Sequence, residues 1–149
     1  MHHPINRRWM LRSSAAMGGA LLLPTATRAC EVQAEFLRIT HPWTRGTTPG
    51  AEFAVLCMRI DNVTADDRLI GVQTPVAGGA LVAGTPDGQP LDLAIPAGSD
   101  LDMHEQGLHL RLAPLRLTLH AGRSYELLLT FARSGVVTTT LSVDFPRFA

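Results

Sequence analysis

From Leu37 onward, short apolar runs recur about every eight to twelve residues, and residues that favour turns separate them. This spacing is typical of an all-β sandwich or barrel, and no segment shows a convincing helical period. Residues 51–60 are mostly apolar on both faces, so we expect them to form a central strand. The β-rich runs 125–131 and 136–143 flank a short turn with a glycine and predict a closing hairpin.

The first 29 residues differ in composition from the rest of the chain. They contain no acidic residue and four arginines: Arg7, Arg8, Arg12 and Arg28. A pair of arginines, a variable residue, an apolar pair and a basic residue resemble the twin-arginine (Tat) class of export signals. The apolar stretch that follows is too short and too rich in Gly and Ser to span about 30 Å of hydrocarbon. We therefore expect a periplasmic protein with a signal peptide at 1–29, cleaved near Ala29, a single domain at 30–149, and no stable membrane anchor.

The chain has two cysteines, Cys30 and Cys57. Exported chains reside where thiols oxidise, so we expect a disulfide between them, which requires cleavage before Cys30. The alternative is that Cys57 is a buried thiol within an apolar strand. Lipidation of Cys30 is disfavoured relative to simple release, because Thr27 and Arg28 depart from the lipoprotein pattern.

Charge and motifs exclude several classes of function. Thirteen arginines balance thirteen acidic residues, and this neutral total is not that of a strongly basic nucleic-acid binder. The sequence contains no Gly-x-Ser-x-Gly elbow, phosphate loop or dinucleotide fingerprint. Asp66 and Asp67 lie beside a turn, where Asp commonly bonds to nearby backbone, so we interpret them as solvated turn residues. We do not expect an enzyme.

Residues 102–109 contain one thioether and two imidazoles: Met103, His104 and His109. Thioether sulfur together with imidazole nitrogen suits copper, especially Cu(I). In a strand, Met103 and His104 point to opposite faces, so only one of them can easily join His109. The alternative is that His104 is exposed at the turn of a hairpin and His109 packs on the sheet with its ring bonded to backbone.

Several segments together resemble the periplasmic copper chaperone PCu(A)C family. They are Asp67-Arg68-Leu69-Ile70-Gly71 with Pro75-Val76-Ala77, Ile95-Pro96-Ala97-Gly98 with Gly107-Leu108-His109-Leu110, His41-Pro42-Trp43-Thr44-Arg45 before Pro49-Gly50-Ala51, and the closing hairpin 127–143. The resemblance covers nearly all of the chain after the signal peptide. It implies a cupredoxin-like Greek-key β-sandwich that holds Cu(I) through His and Met. It also implies delivery of Cu(I) to a periplasmic acceptor such as cytochrome oxidase.

The positions of the family's copper ligands are only partly kept in this chain. Ala83 falls where the family has its first His, and residues 84–93 contain no Met. The family's His-x-Met pair becomes His109-Leu110-Arg111, so the His matches and a cation replaces the sulfur. Met103 and His104 are not family ligand positions, and a site that used them would be new.

Two functions follow as expectations. The first is a copper chaperone-like protein with a degenerate Cu(I) site at His109, assisted by Met103 or His104. The second is a metal-independent periplasmic binding or assembly module, in which Arg111 contacts a partner.

Overall fold

The computed structural model describes residues 31–146, so the predicted signal peptide and Cys30 lie outside the described residues. Ten strands form this part of the chain: β1 (Glu31–Gln33), β2 (Arg38–Arg45), β3 (Ala54–Asp61), β4 (Asp67–Gln73), β5 (Ala80–Val82), β6 (Leu93–Ile95), β7 (Leu101–Asp102), β8 (Leu110–Leu112), β9 (Ser124–Phe131) and β10 (Gly135–Asp144). None of its segments is a helix long and apolar enough to cross a membrane. The prediction of an all-β fold is confirmed.

The strands form one sheet with the order β5-β8-β3-β2-β10-β9-β4-β6. In addition, β1 pairs with β2 and β7 pairs with β3. All pairs are antiparallel except β10 with β2, which run parallel. Strands β4 and β5 lie toward opposite ends of the sheet order yet contact each other, so the sheet curls nearly into a barrel. The hydrophobic side chains of the inner face fill the interior.

Strand β3 is central, as the apolar residues on both of its faces predict. It lies between β2 on one edge and β7 and β8 on the other. Leu56, Cys57, Met58 and Ile60 are all fully or almost fully buried. Because successive side chains of a strand point to opposite faces, burial of Cys57 and Met58 together means that both faces of β3 are covered.

The closing hairpin is confirmed as β9 and β10, and an unexpected residue fixes its turn. Asp67 is buried rather than solvated, which corrects the sequence-based interpretation. One carboxylate oxygen accepts a hydrogen bond from the backbone N–H of Arg133, and the other accepts hydrogen bonds from the backbone N–H and the hydroxyl of Ser134. Strand β4 therefore holds the β9–β10 turn through a single side chain, in addition to its ladder with β9.

Strands β7 and β8 do not form the hairpin that the sequence suggests. Both pair with the same edge of β3: Leu101 lies opposite Ile60, and Leu110 lies opposite Leu56. The residues between them, 103–109, first keep one bond to β3 and then leave the ladder. We call this segment the 103–109 loop.

Candidate metal centre

The backbones of β5 and β8 bring the two predicted ligand positions next to each other. Val82 lies opposite Leu110, and one residue further the N–H of Ala83 donates to the carbonyl of His109 over 3.0 Å. Residues directly opposite each other in an antiparallel pair share a face of the sheet. The convergence of positions 83 and 109, which the family resemblance implies, is therefore present in the backbone. The methyl group of Ala83 supplies no metal ligand.

His109 has a defined tautomer. Its Nδ1 lies 2.9 Å from the carbonyl oxygen of Gly107. A carbonyl oxygen can only accept, so Nδ1 carries the proton and donates. The lone pair of Nε2 is then available to a metal ion, in the way that a backbone carbonyl commonly orients metal-binding histidines. His109 is half-buried.

His104 has the same tautomer but a more exposed position. Its Nδ1 lies 3.1 Å from the carbonyl oxygen of Asp102, which again leaves Nε2 with its lone pair. A turn closes the loop here, because the N–H of Gly107 donates to the carbonyl of His104 over 3.0 Å. A Cβ at position 107 would lie 2.6 Å from the His104 ring, so the ring packs on the bare backbone of Gly107. This arrangement matches the alternative interpretation of an exposed turn histidine.

Met103 lies in the core. Its side chain is 2% exposed and belongs to the hydrophobic cluster that includes Met58 and Leu110. The N–H of Met103 donates to the carbonyl of Met58 over 3.0 Å, which extends the β7 ladder by one bond. The thioether can reach a metal ion near His109 only if this bond and the packing around it are disrupted.

The 103–109 loop covers Cys57. On β3, Met58 bonds to Met103 and Leu56 pairs with Leu110, so Cys57 is the residue at which the loop leaves the ladder. The thiol is fully buried and free within the described part of the chain. Burial raises the pKa of Cys57 to about 11, and the nearby carboxylate of Glu105 adds to the effect.

An ion pair ties the 103–109 loop to β2. The guanidinium of Arg45 donates to the carboxylate of Glu105, and the same guanidinium lies 6.0 Å from the centre of the Trp43 ring. The hydrogen bond to Glu105 raises the pKa of Arg45. The ion pair spans two elements, and it holds the loop against the sheet next to His104.

Arg111 occupies the position of the missing sulfur ligand and stacks on an aromatic ring. Its Cζ lies 3.8 Å from the centre of the Phe53 ring. In the register, Arg111 lies opposite Val55 on β3 and opposite Leu81 on β5. The side chain is half-buried, and its Nε is buried without a hydrogen-bond partner in the described residues.

The described residues do not contain a preformed metal centre of oxygen, nitrogen and thiolate ligands. No group of three His, Cys, Asp or Glu side chains among residues 31–146 is placed to hold a metal ion. His109 and His104 come from one loop, whereas Met103 points into the core and Arg111 and Ala83 supply no ligand. The chemistry available in this arrangement is that of one oriented imidazole with a second imidazole on the same loop.

A comparison with the sequence models of protein families identifies the family of this chain. Residues 37–143 match the sequence model of the LpqE-like family, which is described as a lipoprotein family. The chain belongs to the LpqE-like family. No curated protein matches this LpqE-like chain.

Solved structures with the same fold are PCuAC domains. The copper-bound PCuAC domain from PmoF2 is 28% identical, with a TM-score of 0.69 over 78% of this chain and 98% of that domain. The apo PCuAC domain from PmoF1 is 24% identical, with a TM-score of 0.68 over 78% of this chain and 99% of that domain. The Cu(I) form of DR1885 from Deinococcus radiodurans is 19% identical, with a TM-score of 0.61 over 76% of this chain and 80% of that chain. The family resemblance proposed from sequence is thus supported, and these structures share the β-sandwich or barrel-like fold of the LpqE-like chain.

Sequence reasoning missed two contacts around this centre. The Arg111–Phe53 stack and the Arg45–Glu105 ion pair each join residues from distant segments. Neither pair has a local sequence signal. Only the register of β3 against its neighbours could have indicated them.

Proposed function

We propose that this LpqE-like protein is a copper chaperone-like protein that binds Cu(I) and delivers it to a copper enzyme, such as a cytochrome oxidase. The observation that carries the proposal is the oriented imidazole of His109, whose Nε2 lone pair is available beside Ala83. The 28% identity to a copper-bound PCuAC domain over almost the whole of that domain supports it.

In this proposal His109 is the principal Cu(I) ligand, and His104 is the second donor from the same loop. Both Nε2 atoms have lone pairs, because both Nδ1 atoms donate to carbonyl oxygens. Imidazole is a suitable ligand for Cu(I), and low coordination numbers leave room for a donor from the acceptor protein. Met103 contributes its thioether only when the 103–109 loop separates from β3.

Arg111 weakens copper binding relative to a site with sulfur at that position. The two-residue period of a strand places His109 and Arg111 on one face, so a guanidinium charge faces the side on which a cation would bind. Like charges repel, and the repulsion is strongest where solvent screening is reduced. Weak binding suits a protein that passes its cargo to an acceptor.

We also propose that the protein acts in the periplasm, after export and removal of residues 1–29 near Ala29, without a stable membrane anchor. The twin arginines Arg7 and Arg8 support export through the Tat route. The lipoprotein description of the family supports export in general. In the periplasm, the partner that would receive Cu(I) is a copper enzyme.

The experiment is an anaerobic Cu(I) competition titration against a chromophoric chelator. We expect stoichiometric binding that His109→Ala abolishes and His104→Ala weakens by about tenfold or more. His120→Ala is the matched control, because His120 is an exposed histidine in the turn before β9. Met103→Leu conserves volume and tests the thioether. Equal binding by the protein and His109→Ala, or no binding above background, would refute the copper proposal.

A second candidate function is a metal-independent binding or assembly module. The specific observation in its favour is Arg111, a stacked guanidinium with a buried Nε that lacks a partner in the described residues. This candidate predicts partner binding that chelators do not change. It predicts further that Arg111 matters more for binding than His109.

A further inference from the structure

Arg111 differs from the other arginines that lie in strands in how its charge is compensated. Arg38, Arg45, Arg59 and Arg68 each form an ion pair with a carboxylate. Within residues 31–146, Arg111 has no carboxylate partner, and its buried Nε has no hydrogen-bond acceptor. The buried Nε is out of reach of a ligand in solution, so an external acceptor can pair only with the terminal Nη1 and Nη2 groups, for which the described residues give no acceptor.

The stack of Arg111 on Phe53 indicates which chemical group would accept hydrogen bonds from the guanidinium. With the guanidinium lying over the ring, the face of the guanidinium is covered and its N–H groups point outward in the guanidinium plane. This fork of donors matches the two oxygens of a carboxylate. The aromatic ring is 40% exposed, so the stack borders solvent.

A groove of about 750 Å³ lies against this stack. Phe53, Leu81 and Leu115 supply apolar surface, while Glu52 and Asp87 also line the groove and are exposed. Its size is within the range of small-ligand sites, which are mostly apolar with a few polar groups that fix orientation. The groove therefore presents one cation with apolar walls and two carboxylates.

The charges of the groove select among carboxylate ligands. Glu52 and Asp87 repel a ligand with several negative charges, whereas they attract an ammonium group. A single carboxylate for Arg111, an apolar body for the walls and an ammonium for the acidic residues are the features of a zwitterionic peptide.

We propose that this groove binds a short apolar peptide with free termini, whose terminal carboxylate pairs with Arg111 and whose terminal ammonium faces Glu52 and Asp87. This binding does not involve copper and goes beyond the proposed function. The groove lies along Leu81 of β5, Arg111 of β8 and the residues just before β3, and neither Ala83 nor His109 lines it.

The test uses the tripeptide Leu-Gly-Leu and the protein in a copper chelator, with binding followed by amide chemical shifts. We expect shifts at Phe53, Leu81 and Leu115. Amidation of the peptide's carboxyl terminus should weaken binding by about tenfold or more, because a charge-assisted hydrogen bond is lost. Acetylation of its amino terminus should weaken binding less, because Glu52 and Asp87 are solvated.

Variants of the charged residues test their roles in peptide binding, and folding is checked separately for each variant. Arg111→Lys keeps a cation but loses the fork, so we expect weaker binding of the free peptide; Arg123→Gln, an exposed arginine outside the groove, should bind as before. The double variant Glu52→Gln/Asp87→Asn should remove the preference for the free amino terminus over the acetylated one. Far-ultraviolet circular dichroism and the urea midpoint verify that each variant folds.

Three results would overturn the proposal. Equal binding of the free and amidated peptides would show that Arg111 does not recognise a carboxylate. Equal binding of the free and acetylated peptides would show that the groove does not recognise the terminal ammonium, and only the recognition of the carboxylate would remain. Absence of any shift at millimolar peptide would also refute it, and none of these results bears on Cu(I) binding, because copper is excluded.

Discussion

At positions 83 and 111 this family member keeps the backbone arrangement of a copper site, but its side chains there are not metal ligands. The β5–β8 ladder holds Ala83 beside His109, and the alternation of β8 keeps Arg111 on the same face as His109. The backbone therefore keeps the arrangement that a His, His and Met set would need, while two of the side chains supply no ligand. Two substitutions should restore the donors without a change of fold.

We expect the double variant Ala83→His/Arg111→Met to bind Cu(I) at least about tenfold more tightly than the unmodified protein. An imidazole and a thioether then replace a methyl group and a cation beside His109, and the repulsion by Arg111 is removed. The anaerobic competition titration measures the gain. Arg111→Met alone also removes the Phe53 stack, so its unfolding midpoint is measured in parallel.

The single variants make this prediction specific. Ala83→His should bind more tightly than the unmodified protein but less tightly than the double variant, because Arg111 still repels the ion. If the double variant and the unmodified protein bind Cu(I) equally, the side chains at positions 83, 109 and 111 do not converge, despite the hydrogen bond between Ala83 and His109.

At the scale of elements, the β4 strand stabilises the β9–β10 turn through Asp67. Burial raises the pKa of Asp67, but the hydrogen bonds from the Ser134 hydroxyl and from the backbone of Arg133 and Arg68 outweigh this effect. The net result is a pKa below the ordinary value of about 3.9. A carboxyl whose pKa is lowered by folding contributes stability above its unfolded pKa, and that contribution is lost as pH falls through the folded pKa.

We expect Asp67→Asn to lower the free energy of unfolding by about 1.5 to 3 kcal/mol at pH 7, because the charged acceptor of several hydrogen bonds is lost. The difference from the unmodified protein should shrink as pH falls below the unfolded pKa of about 3.9 and through the lower folded pKa. Urea unfolding at pH 7 and at acidic pH measures both quantities. Asp87→Asn is the control, since an exposed carboxylate changes stability by less than about 0.5 kcal/mol. A difference that does not vary with pH would contradict the role of the charge.

The sequence predicts those elements that depend on residues close together in the chain. The β9–β10 hairpin follows from two β-rich runs and a turn with Gly135, whose φ of 73° is easily adopted by glycine. The 103–109 loop could not be predicted in the same way, because both β7 and β8 pair with β3 rather than with each other. That pairing depends on β3, which is distant in sequence. The same reason hides the Arg111–Phe53 stack and the burial of Asp67.

The site was predictable only in part. The family resemblance indicates which backbone positions lie close together, but it does not indicate how each side chain is packed. The resemblance implies that positions 83 and 109 belong to one site, and a backbone hydrogen bond joins them. The resemblance could not show that the Met103 side chain is 2% exposed, because a methionine in an alternating segment suits either face of the sheet. The backbone bond from Met103 to Met58 extends the register of β7, and the alternation of that strand places the Met103 side chain on the same face as Leu101.

At the scale of the whole molecule, the position of Cys57 connects the core to the candidate site. Strand β2 separates β1 from β3, and neighbouring strands lie about 4.8 Å apart, so about 10 Å separates the backbones of β1 and β3. A disulfide requires Cα atoms within about 7 Å. Cys30 precedes β1 and lies outside the described residues, so pairing with Cys57 stays a prediction.

We expect the Cys57 thiol to react with an aromatic disulfide reagent only when the whole domain unfolds. In the native state at pH 8 the thiol is protonated, because burial raises its pKa to about 11, and the core excludes the reagent. The variant Cys30→Ser isolates Cys57, and its reaction in dilute urea should follow the free energy of global unfolding. Fast reaction in native buffer would mean instead that the 103–109 loop opens locally. If the unmodified protein shows no thiol in denaturant until a reductant is added, Cys30 and Cys57 are paired, and the buried free thiol is refuted.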